Sequence, residues 1–90
     1  MDFETYIDGA IKKMNSLGYK PTYFMQMRND YGTIQAIKRL IHDPRPQGGF
    51  LKLHELGHPE LTMESIVLEE QWSDLFTEED RKAARNKLQK

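Results

Sequence analysis

Apolar residues open the chain at Phe3, Tyr6, Ile7, Ala10, Ile11, Met14 and Leu17. Alternating spacings of three and four place them all on one face of a helix, as expected for a segment packed against a core. Asp2 stands where an N-cap belongs, Lys12 and Lys13 suit the negative end of the helix dipole, and Gly18 supplies a left-handed stop. Gly9 lies inside this helix and costs about 1 kcal/mol relative to alanine without breaking the stripe.

Pro21 and Thr22 open a second helix, short and dense in apolar side chains at Tyr23, Phe24, Met25 and Met27. Asn29-Asp30-Tyr31-Gly32 breaks it with residues that tolerate turn geometry. Thr33 is positioned to cap a third helix with Ile34, Ile37, Leu40 and Ile41 on one face and Gln35, Lys38 and Arg39 on the other. From His42 to Gly49, prolines at 44 and 46 and the Gly48-Gly49 pair predict a loop, with the glycines turning the chain so that Phe50 enters the core.

Phe50, Leu51, Leu53 and Leu56 predict a fourth, short helix stopped at Gly57. Thr62 caps a fifth, with Leu61 stapling onto its first turn, Glu64 near its positive dipole end, and Met63, Ile66, Val67 and Leu68 on its buried side. Trp72, Leu75 and Phe76 follow as an apolar cluster, with Trp72 and Phe76 expected to bury beside Phe50 and Ile66. Thr77 with three acids after it starts the last helix, whose inward residues are Ala83, Ala84 and Leu88 and whose Glu78 and Lys82 are spaced as an i, i+4 pair. No alternating strand pattern competes anywhere. The expectation is an all-α, compact single domain over residues 1–90, built of five to six short helices.

Composition removes several classes of function. The chain has no cysteine, which excludes a disulfide framework, a thiolate metal site and a thiol nucleophile. Its acidic start, Met-Asp-Phe-Glu-Thr, lacks the basic and apolar regions of a signal peptide, and its apolar runs are too short to span a bilayer. A cytoplasmic protein without membrane partners is expected. Net charge is −1, but its distribution is uneven. Residues 1–54 hold eight Lys/Arg against five Asp/Glu, residues 55–80 hold nine acids and no Lys/Arg, and the last ten residues hold five bases and no acid.

Candidate chemistry is sparse. His54 and His58 stand four apart with Glu55, Glu60 and Glu64 nearby, but Gly57 and Pro59 interrupt the helix that a shared metal would need. The carboxylates cluster at helix starts, where the dipole already accounts for them, and Gly48-Gly49 lacks the Lys-Ser/Thr of a phosphate loop. No catalytic residue, metal or cofactor is expected. Residues 21–41 read as helix, glycine-containing turn, helix, the outline of a helix-turn-helix, with Lys38, Arg39 and Arg45 as the nucleic-acid contacts it would use. Against this, the sequence pI is about 6.3, whereas nucleic-acid-binding domains are commonly strongly basic. The other reading is a protein-interaction surface at Tyr23, Met25 and Tyr31 in a chain with five methionines, whose side chains adapt readily to partners.

A longer pattern runs through the second half. Gly49-Phe50, Leu53-His54-Glu55-Leu56-Gly57, Glu60-Leu61-Thr62-Met63-Glu64-Ser65-Ile66-Val67-Leu68, Trp72, Leu75-Phe76-Thr77 and Ala84-Arg85 with Leu88 together resemble a small helical module of uncharacterised bacterial proteins. The lead-in at Leu17-Gly18-Tyr19, Phe24, Gly32 and Ala36-Ile37-Lys38 extends the resemblance over nearly the whole chain. Pro59-Glu60 departs from it at a helix-entry turn. The resemblance implies a stand-alone or appended neighbour of restriction-type and mobile-element proteins, with no catalytic residue to carry over. Within this module Glu64 is expected to accept a hydrogen bond or to pair with a base such as Arg85. The expectation for function is therefore a non-enzymatic protein-interaction module, with a small DNA-binding domain as the alternative.

Overall fold

The structure is a computed structural model describing residues 1–44 and 48–89. In chain order, the α-helices are α1 (Phe3–Ser16), α2 (Thr22–Tyr31), α3 (Thr33–His42), α4 (Gly48–Glu55), α5 (Met63–Val67) and α6 (Glu78–Leu88). Tighter 3-10 turns at Pro59–Leu61 and Glu70–Leu75 flank α5. No strand occurs among the described residues, so the chain is all-α. No helix among them is long and apolar enough to cross a membrane.

Local chemistry accounts for most of the boundaries. Asp2 accepts the Thr5 N–H at 2.7 Å and caps α1. At the other end, Tyr19 N donates to Met14 O and Gly18 N to Asn15 O, with Gly18 at φ +90°, which is a Schellman closure. The same pair of bonds ends α4, from His58 N to Leu53 O and Gly57 N to His54 O, around Gly57 at φ +81°. Thr62 caps α5 by accepting the Ser65 N–H. Thr77 and Asp80 form a reciprocal capping box at the start of α6.

Two boundaries differ from the sequence expectation. Gly32, at φ +90°, is at once the C-cap of α2 and the N-cap of α3, so Thr33 is not a cap. Its hydroxyl instead donates to Glu4 at 2.6 Å and accepts from Arg28 Nε at 2.7 Å. Arg28 also bonds Glu4 and Asp8, so this cluster ties α1, α2 and α3 together. Gly48-Gly49 is the first part of α4 rather than loop.

α3 is the hub, packing on α2, α5 and α6, while α5 also packs on α6. A single cluster of buried side chains joins the stripe of α1 (Phe3, Ile7, Ala10, Ile11, Met14) to Phe24 and Met27, to Ala36, Ile37 and Ile41, and to Met63, Ile66 and Val67. The radius of gyration is 12.0 Å, matching the roughly 12 Å expected of a compact domain this long. Trp72 and Phe76 are buried as expected, but against Phe3 and Tyr6 rather than Phe50. Phe50 is half-buried and leans on the His54 ring at 4.4 Å between centroids. Among the described residues of α4, only Leu53 is buried, and Leu51 is exposed.

Candidate functional site

The α1–α2 junction and α4, distant in sequence, line one cleft of about 390 Å³. The end of α1 and its turn supply Met14 and Tyr19, the start of α2 supplies Pro21 and Phe24, and α4 supplies Phe50 and Leu53. Leu40 of α3 and Met63 of α5 complete the apolar lining. The size falls in the range of roughly 300–1,000 Å³ typical of ligand pockets, and such pockets are characteristically apolar with few polar groups.

Tyr19 forms one wall. A Cβ placed on Gly49 would collide with its hydroxyl and ring, so glycine at 49 lets the α4 backbone approach this side chain. Burial pushes the Tyr19 phenol pKa above its usual value. Gly49→Ala should therefore cost about 1–3 kcal/mol by overpacking, although alanine favours helices. Urea unfolding should show a smaller cost in a Tyr19→Phe background, because the hydroxyl is the closest atom. Equal costs in both backgrounds would count against the contact.

Glu64, only 3% exposed, lies on the cleft lining beside Met63. Its carboxylate faces Lys87 Nζ at 3.5 Å, and Lys87 donates to Leu40 O at 2.6 Å, linking α6 to α3 and α5. The expected partner Arg85 instead reaches Glu78 at 2.7 Å, and Glu78 contacts Arg81 at 4.0 Å; these, not Lys82, are its ion-pair partners.

Tyr23 stands at the mouth of the cleft with 60% of its surface exposed. Met25 and Tyr31, also on α2, are exposed too. The aromatic and methionine-rich stretch thus divides, with Phe24 and Met27 turned into the core and these three outward.

Of the residues considered for nucleic acid, Lys38 and Arg39 are described, and each has a partner within the fold. Lys38 Nζ lies 3.2 Å from Asp80, which is 4% exposed and also bonded by His42 Nε2 at 2.7 Å. Arg39 is exposed, with its guanidinium carbon 3.9 Å from the Tyr31 ring centroid. Arg45 lies outside the described residues. A helix-turn-helix joins its helices by about 3–4 residues, whereas Gly32 alone separates α2 from α3, and α6 covers part of the α3 face that would read a groove.

The histidines weighed for metal have other partners. His54 Nδ1 pairs with Phe50 O at 2.9 Å and His58 Nδ1 with Glu60 at 2.8 Å. Among the described residues, no group of three or more His, Asp or Glu is arranged to hold a metal ion. Sequence reasoning missed the cleft, because Met14, Leu40 and Leu53 carry only the ordinary signal of core residues. Comparisons with protein-family models, curated proteins and solved structures give no match.

Proposed function

We propose that this chain is a non-enzymatic protein-interaction domain that docks an apolar side chain of a partner protein in the cleft between α1, α2 and α4. The observation that carries this reading is the cleft itself, about 390 Å³ with apolar walls and an exposed tyrosine at its mouth. Aromatic side chains at the edge of an apolar depression are common anchors of protein interfaces. The one carboxylate on the cleft lining, Glu64, is buried and paired with Lys87, which favours binding over catalysis. A setting in bacterial defence or mobile-element biology rests on the sequence resemblance alone.

Selection of a displayed random-peptide library on the wild-type chain tests the reading. Enriched peptides should share a large apolar residue and lose about tenfold or more in affinity for Tyr23→Ala, the range of an interface anchor. Tyr23 is exposed, so this variant should keep wild-type stability. Peptides that bind Tyr23→Ala and Met25→Ala as well as wild type would place the docking surface elsewhere. Salt-sensitive binding of duplex DNA, abolished in a Lys38→Ala, Arg39→Ala, Arg45→Ala triple variant, would favour the DNA-binding alternative instead.

A further inference from the structure

We infer that the docked segment is acidic: its apolar side chain fills the cleft while flanking carboxylates pair with Lys20 and Arg39. This rests on the docking reading above and adds the charge of the partner. A second depression, about 300 Å³ and lined in part by Met27 and Arg39, shares Tyr23 and Leu40 with the cleft. The two depressions therefore lie around the same two side chains, close enough for one bound segment to touch both.

The sign of the charge follows from which groups on this lining face solvent. Glu64 is buried against Lys87, Asp43 is half-buried and has a partner of its own, and His42 is bonded to Asp80. Lys20 and Arg39 are exposed. A ligand that touches both depressions therefore meets two cations, and a basic segment would be repelled there.

Arg39 is also suited to the task by its contact with Tyr31. The guanidinium carbon sits over the ring at 3.9 Å, a cation–π contact that helps to hold the side chain in place. Its planar fork of N–H donors lets a carboxylate accept two of them side by side. A lysine at this place would lack the fork.

Fluorescence anisotropy at low salt with three labelled peptides tests the inference. One has the sequence Asp-Glu-Leu-Phe-Asp-Glu, the second replaces its acids with Lys and Arg, and the third replaces Leu-Phe with Ala-Ala. The acidic apolar peptide should bind and shift the amide resonances of Tyr23 and Leu40, and the other two should not. Lys20→Glu with Arg39→Glu should weaken it by about tenfold, as reversal of two exposed ion pairs allows, and added salt should do the same.

Equal or tighter binding of the basic peptide at the same amides would overturn the acidic assignment and leave the docking reading standing. If no peptide moves those amides, both fall. Sedimentation that shows self-association without peptide, lost in Tyr23→Ala, would make a second copy of the chain the occupant and overturn the inference. Duplex DNA that shifts the same amides where the acidic peptide does not would overturn it as well.

Discussion

Phe76→Ala should lower the unfolding free energy by about 3–5 kcal/mol, the usual cost of deleting a buried aromatic side chain. Phe76 is 6% exposed and meets Phe3 edge-on at 5.8 Å, and Phe3 meets Trp72 edge-on at 4.9 Å. Truncation at 76 thus empties space at the point where the start of α1 closes over the turn leading into α6. A domain of this length has a total stability of roughly 5–13 kcal/mol at the usual per-residue average, so the change removes a large part of it. Urea unfolding monitored by Trp72 fluorescence reads the loss directly. A cost below about 1 kcal/mol would mean that the ring is dispensable to the core and free to serve as a contact residue.

Asp80→Asn should cost about 2 kcal/mol at neutral pH, with most of that cost disappearing in acid. Burial opposes ionisation of Asp80, but hydrogen bonds from His42, the Thr77 N–H and Lys38 outweigh it and hold its pKa at about 2, against an ordinary value of 3.8. A carboxylate whose pKa is depressed by folding stabilises the native state above its unfolded-state value and loses that contribution as pH falls through its folded value. The window is therefore about pH 4 down to pH 2, and a shift of this size corresponds to about 2 kcal/mol. Unfolding curves for wild type and Asp80→Asn across that window should converge as the pH drops. Curves that stay parallel would show that the charge of Asp80 contributes nothing to stability. Taking the difference between the two proteins cancels Glu4, Glu60 and Glu78, whose pKa values are also lowered.

The helices were legible because their signals are local. The stripe from Phe3 to Leu17, the stop at Gly18 and the threonine caps at 62 and 77 each depend on residues within a turn or two. Errors arose where a distant contact outweighed local preference. Thr33 reads as a cap, yet its hydroxyl is taken by Glu4 of α1, and positive-φ Gly32 does the terminating. Gly48-Gly49 reads as loop, yet Tyr19, some thirty residues earlier, packs where a side chain at 49 would be. Asp80 was visible as a first-turn acid, while its bonds to Lys38 and His42 span about forty residues and leave no periodic trace. The cleft was the least legible feature, since no single segment that lines it departs from the pattern of a buried helix face.

The single-residue junction at Gly32 also bears on how chains of this fold can vary in length. Each residue advances a helix by about 100°. With the turn at Gly32 kept, one residue inserted or deleted in the first turn of α3 would therefore rotate the rest of α3 by that angle relative to α2. Ile37 and Ile41 would swing away from the core, and Lys38 and His42 would no longer point at Asp80. A change of length at this point thus alters the phase of the central helix, whereas a substitution elsewhere alters one contact. Insertions and deletions in the first turn of α3 should be strongly disfavoured, and length changes should be far better tolerated where a joint lets the next helix keep its rotation.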